Sequence, residues 1–75
     1  GIGMSISANK FEGIRCALCH NDYTVKMARN HNNANVLSIG ARVITLDMAK
    51  KIVDVFLCES FENGRHKRRV DKFNF

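Results

Sequence analysis

Only two stretches of this 75-residue chain read as β-strands, and that number restricts the fold more than any other feature. Residues 14–19 (IRCALC) are a short apolar run after a break at Gly13, and residues 36–39 (VLSI) are a second run stopped by Gly40. Helical patterns surround both. Residues 5–11 follow a Gly1-Ile2-Gly3 turn. Asn21 and Asp22 can cap a helix from about residue 23 to 30, where Tyr23/Met27 and Thr24/Ala28 share faces at i,i+4. The polar cluster from His31 to Asn35 is expected to end that helix as a loop. Thr45 heads the strongest amphipathic stretch, with Asp47 in the first turn where the helix dipole favours an anion. Its apolar stripe runs through Met48, Ile52, Val55 and Phe56, widened by Ala49, Val53 and Leu57. Asn63-Gly64 then punctuates, and residues 65 to about 73 predict a basic final helix.

The expected order is therefore α-β-α-β-α-α. Strands alternating with helices indicate a parallel sheet covered on both faces, an α/β fold of the doubly wound, Rossmann-like, three-layer type. Two strands are too few to complete such a sheet, because each edge needs a neighbour and each face a cover. Residues 1–75 thus read as a single partial domain, half of a doubly wound one.

Composition sets further bounds. A globule of this length buries only about 60% of its unfolded surface, so its stability is marginal without a partner, metal or disulfide. Its 45% apolar and 25% charged residues are those of a folded protein, not a disordered one. No apolar run approaches the roughly 20 residues of a membrane helix, and residues 1–4 carry no basic segment of a secretory signal. Three cysteines are too few and too odd in number for a disulfide scaffold, so free thiols in a reducing cytoplasm are expected. The formal charge of +5 is concentrated, because residues 65–72 alone carry five basic residues against one acidic. Such a patch calls for a local anion.

Four motifs carry candidate chemistry. Cys16-Ala17-Leu18-Cys19-His20 matches the C-x-x-C-H pattern of haem attachment, and with His31 it offers zinc ligands. On a strand, however, residues i and i+3 point to opposite faces, so Cys16 and Cys19 diverge and core cysteines are the simpler reading. Gly1-Ile2-Gly3 before a helix is a possible phosphate or oxyanion cradle, or simply a turn. His31-Asn32-Asn33 lies on the way into the second strand. Ligands of open α/β sheets bind at the other, carboxyl end of the strands, so topology alone reads these residues as a cap and loop unless a second subunit brings them to a site. Arg65 and Arg69 share a helix face and can clamp a phosphate, or form a solvated or nucleic-acid-binding face.

Several blocks taken together are more specific. Residues 1–10 (GIGMSISANK), 13–15 (GIR), 31–37 (HNNANVL), 40–43 (GARV) and 64–70 (GRHKRRV) resemble, in order and spacing, the C-terminal half of the ribose-5-phosphate isomerase B family. The resemblance implies a dimeric doubly wound enzyme without metal or other cofactor. It would interconvert ribose 5-phosphate and ribulose 5-phosphate of the pentose phosphate pathway through an enediolate, in active sites between subunits. By position, Gly1 and Gly3 resemble the loop whose amides hold the enediolate oxyanion, and His31 resembles the ring-opening histidine. Asn32 matches a substrate-contacting asparagine, and Arg42, Arg65 and Arg69 the arginines that hold the phosphate. The family's proton-transferring cysteine lies just before the glycine loop, and some members use a Glu where this chain has Met4. None of Cys16, Cys19 or Cys58 matches that cysteine, so residues 1–75 are expected not to turn over alone. The expected partners are a phosphosugar and a second copy of the chain, with neither nucleic acid nor membrane. The alternatives are a relative acting on another phosphosugar such as galactose 6-phosphate, a small nucleic-acid-binding module using residues 65–72, and a structural remnant.

Overall fold

The structure, a computed structural model, describes residues 1–61 and 70–72. Helix α1 (Ile2–Ala8) leads to strand β1 (Cys16–Leu18), helix α2 (Asp22–Asn32), strand β2 (Val36–Ser38) and helix α3 (Leu46–Cys58). The predicted order holds through these five elements, whereas the expected basic helix lies outside the described residues apart from 70–72.

β1 and β2 pair in parallel, with Cys16 opposite Val36, Ala17 opposite Leu37 and Leu18 opposite Ser38. α1 covers one face, and α2 and α3 pack together on the other. The alternation of side chains along a strand divides the sheet accordingly. Ala17, Cys19, Leu37 and Ile39 join Val25, Ala28 and Ile52 in the core beneath α2 and α3. Cys16 and Ser38 face α1. Cys16 and Cys19 therefore do diverge to opposite faces, as a strand requires.

Side chains close the ends of this short sheet. The Arg15 carbonyl accepts from the amides of Asn35 and Val36, and the Cys19 amide donates to the Ser38 carbonyl. Odd-numbered residues of β1 thus bond β2, which turns the backbone of Cys16 and Leu18 to the open edge. There the Asn9 side chain stands in for a neighbouring strand. The Cys16 amide donates to Asn9 Oδ1 at 2.7 Å, and Asn9 Nδ2 donates to the Cys16 carbonyl at 2.9 Å. Asn35 does a similar service at the entry to β1. It accepts from the Arg15 amide at 2.8 Å and donates to the Gly13 carbonyl at 2.9 Å, where Gly13 turns through a φ of 80°.

Three boundaries differ from the sequence reading. α1 begins at Ile2 rather than residue 5, so Gly3 lies inside it. α2 starts at Asp22 behind a reciprocal cap in which Asn21 Oδ1 accepts from the Thr24 amide and Thr24 Oγ1 from the Asn21 amide. At its other end, His31 and Asn32 are its last helical residues, not loop. The helix stops at Asn33, whose φ of 49° is left-handed, and the Asn33 and Ala34 amides both donate to the Ala28 carbonyl. Arg29 secures this end: its Nη1 donates to the Ala34 carbonyl at 2.6 Å and its Nε to the Glu59 carbonyl at 3.3 Å, with the guanidinium 5.1 Å above the Phe56 ring. The Thr45 cap is as expected, accepting from the Met48 amide at 3.2 Å.

Candidate active site

In a parallel α/β sheet the strand ends that face away from the incoming helices leave a crevice, and ligands bind there. Three segments meet at that edge in this chain. They are the start of α1, the turn from Leu18 to His20 that leaves β1, and the turn from Gly40 to Ile44 that leaves β2. Together they enclose a cavity of about 500 Å³, within the range that holds small ligands. A second cavity of about 520 Å³ lies between β1 and α2, lined by Ile14, Ala17, Tyr23 and Met27. Asn9, Arg15, Thr24 and Asn32 also line it, but it lies away from the glycine turn and from the carboxyl ends of the strands, so the carboxyl-end cavity is the better match to where open α/β sheets bind ligands.

Gly1 holds this cavity together by being small. A Cβ there would stand 2.7 Å from Leu18 Cδ1, 3.1 Å from the Ile39 carbonyl carbon and 3.2 Å from the Gly40 nitrogen. The backbone of α1 therefore approaches the ends of both strands at once. Ser38 fixes the approach by donating from Oγ to the Gly1 carbonyl at 2.7 Å. Gly3 is different, because a Cβ there would meet no protein atom within 4 Å. Its backbone is open to whatever occupies the crevice. The first amides of a helix also have no intrahelical acceptor.

Arg42 is exposed in the turn that follows β2. This turn is closed by the Val43 and Ile44 amides donating to the Gly40 carbonyl, and Val43 and Ile44 both line the cavity. Gly1, Gly3 and the Arg42 turn are thus brought to one place. His31 and Asn32 are not. They occupy the last turn of α2, which leaves the carboxyl edge at Asn21 and runs roughly 16 Å across the sheet to its amino edge. Asn32 Nδ2 is 3.5 Å from the Met27 carbonyl there. Arg65 and Arg69 lie outside the described residues.

Neither cysteine on β1 or just after it is suited to abstract a proton. Burial raises the Cys16 thiol above its usual range. Burial also raises Cys19, opposed by a hydrogen bond with Thr24 and reinforced by Cys16, so both stay protonated near neutral pH. Cys58 is exposed. Among the described residues no cluster of three or more His, Cys, Asp or Glu side chains could hold a metal ion. No helix among them is long and apolar enough to cross a membrane.

Sequence reasoning set His20 aside with the C-x-x-C-H motif, yet His20 lines the cavity. Its position directly after a predicted strand was the available signal, since that is where a parallel sheet presents residues to ligands.

The profile of the Ribose/Galactose Isomerase family matches residues 1–73. Ribose-5-phosphate isomerase B of Escherichia coli is 49% identical over 71 residues, covering 95% of this chain and 48% of that protein. D-erythrulose-4-phosphate isomerase of Pectobacterium atrosepticum is 47% identical over all 75 residues, covering 49% of its own length. The crystal structure of ribose-5-phosphate isomerase B from Mycoplasma genitalium with bound ribulose-5-phosphate superimposes with a TM-score of 0.93 at 47% identity, over 96% of this chain and 47% of that one. The chain spans about half the length of the relatives it matches.

Proposed function

The chain belongs to the ribose/galactose isomerase family, and from that premise we propose that it forms part of the active site of an aldose–ketose isomerase acting on ribose 5-phosphate and ribulose 5-phosphate. The observation that carries the reading is the meeting of Gly1, Gly3 and the Arg42 turn at one cavity beyond the carboxyl ends of β1 and β2. In this reading Arg42, with Arg65 and Arg69, holds the phosphate through charge-assisted hydrogen bonds. The amides around Gly1 and Gly3 hold the oxygen that becomes negative as the enediolate forms. Packing does not demand glycine at position 3, whereas close approach of a ligand to the backbone does.

His31 opens the sugar ring and Asn32 contacts the substrate. Both stand at the opposite edge of the sheet, so they serve the crevice of a second copy, and the working unit is a homodimer. Residues 1–75 are a partial domain, the C-terminal half of a doubly wound one. The two-stranded sheet and the exposure of Ile2, Met4, Phe11 and Tyr23 support this. The proton between the two sugar carbons is moved by a group outside these residues, and the three free thiols fit a reducing cytoplasm. Relatives of near-equal identity are named for different phosphosugars, so the phosphate end is shared and groups at the sugar end choose the substrate.

Titration of the purified protein with ribose 5-phosphate tests the reading. Saturable binding is expected, weakened roughly 10-fold or more by Arg42→Ala, which removes a charged hydrogen-bond donor. Residues 1–75 alone should bind without turnover, and isomerisation by them at the rate of a full-length relative would overturn the assignment of the proton-transferring group. An RNA titration with a steep salt slope and no competition by ribose 5-phosphate would favour the nucleic-acid reading instead.

A further inference from the structure

The carboxyl-end cavity has a wall poorly matched to a polyhydroxylated ligand. Its side chains are those of Ile2, Leu18, Val43 and Ile44, and its other lining positions are glycines or the buried thiol of Cys19. One lining residue, His20, has a side chain able to make strong hydrogen bonds. A sugar hydroxyl transferred into such a wall loses water, and it costs free energy unless a partner replaces that water.

His20 is placed to be that partner. Its backbone is fixed, because its amide donates to Thr24 Oγ1 at 3.2 Å and so joins the cap of α2. Thr24 Oγ1 in turn donates to the Asn21 carbonyl at 3.0 Å. The His20 ring, by contrast, is exposed and makes no hydrogen bond with any described residue. The backbone is anchored while the ring is left available.

Position separates its role from that of Arg42. His20 follows β1 and Arg42 follows β2, which are neighbours in the sheet about 4.8 Å apart. Gly1 lies close to both, since a Cβ placed on it would meet Leu18 on one side and Ile39 and Gly40 on the other. A ligand whose phosphate lies on the Arg42 side, with its reacting oxygen near the glycine turn, extends its hydroxyl-bearing carbons toward β1.

Resting on the reading given above, we propose that His20 hydrogen-bonds the sugar end of the phosphosugar and is a specificity-determining residue of this site.

Calorimetric titration of the purified protein with ribose 5-phosphate and, separately, with inorganic phosphate tests this. His20→Ala should weaken ribose 5-phosphate about 3- to 10-fold, the equivalent of one lost hydrogen bond. It should leave inorganic phosphate within about 2-fold and the thermal melt unchanged, because an exposed ring supports little packing. His20→Gln, which keeps a donor and an acceptor, should recover part of the loss. Equal weakening of both ligands, or no change in either, would overturn the proposal while leaving the phosphate site standing. Failure of the unmodified protein to bind ribose 5-phosphate would instead remove the underlying reading, and the His20 role with it.

Discussion

Replacing Gly1 and Gly3 by alanine, one at a time, should move stability in opposite directions. At Gly1 the new methyl would lie 2.7 Å from Leu18 Cδ1, a contact that a rotamer change relieves, at about 0.5–1.5 kcal/mol if the rotamer is poor. The contacts of 3.1 and 3.2 Å with the Ile39 carbonyl carbon and the Gly40 nitrogen are with backbone and cannot swing away. The end of β2 or the start of α1 must shift, an overpacking cost of about 1–3 kcal/mol. Reduced entropy of the unfolded chain returns about 0.4–1 kcal/mol. The net loss is about 0.5–4 kcal/mol, centred near 2, and 2 kcal/mol is roughly 8–16 °C in the melting temperature of a domain this small. At Gly3 the methyl meets nothing within 4 Å and sits in a helix, so alanine should gain about 0.5–1 kcal/mol. Thermal melts followed by far-ultraviolet circular dichroism would measure both. Gly3→Ala should also weaken ribose 5-phosphate although it raises stability, because its methyl projects where the ligand approaches the backbone. A Gly1→Ala protein as stable as the unmodified one, or a Gly3→Ala protein destabilised to the same degree, would refute the reasoning.

Three further outcomes follow from the packing. Ile52 is fully buried in the core between α3 and the sheet, so Ile52→Ala should cost about 2–5 kcal/mol, read as a fall in denaturation midpoint. Arg29→Met strands the Ala34 and Glu59 carbonyls and should cost about 1–3 kcal/mol, with Arg29→Lys intermediate in a thermal melt because its single ammonium cannot span both carbonyls. The raised pKa of Cys19 sets the sign of an alkaline effect. Above the usual thiol value of 9.0 the unfolded chain gives up this proton while the folded chain keeps it, so stability is whole below that pH and declines as pH rises further. Melts run from pH 8 upward should hold steady until about pH 9 and show the decline above it, and Cys19→Ala should flatten it.

Features encoded by near neighbours were legible in the sequence. Thr45 caps α3, Asn21 caps α2 and Gly13 turns before β1, because each signal is completed within three or four residues. The end of α2 was misread for the opposite reason. Asn32 and Asn33 are poor helix residues and His31 is indifferent, so the local pattern predicts a loop. What holds the helix through His31 and Asn32, up to the left-handed Asn33, includes the Arg29 bridge to Ala34 and Glu59, and Glu59 is thirty residues away. The role of Gly1 was hidden likewise, since the atoms that leave no room for a side chain there belong to Leu18, Ile39 and Gly40. His20 was overlooked because its neighbours spelled a familiar motif, whereas its importance comes from the strand end on which it sits.

The Asn9 carboxamide also controls how anything else can join this sheet. It occupies the outward amide and carbonyl of Cys16, so that half of the β1 edge is already spoken for, while the backbone of Leu18 still points outward. An arriving strand therefore finds an end-stop on one side and a single docking rung on the other. It cannot slide toward the amino end without first expelling Asn9 from two hydrogen bonds. One side chain thus works as a register pin, telling a newcomer where along β1 to begin and keeping stray strands from laying themselves along the whole edge.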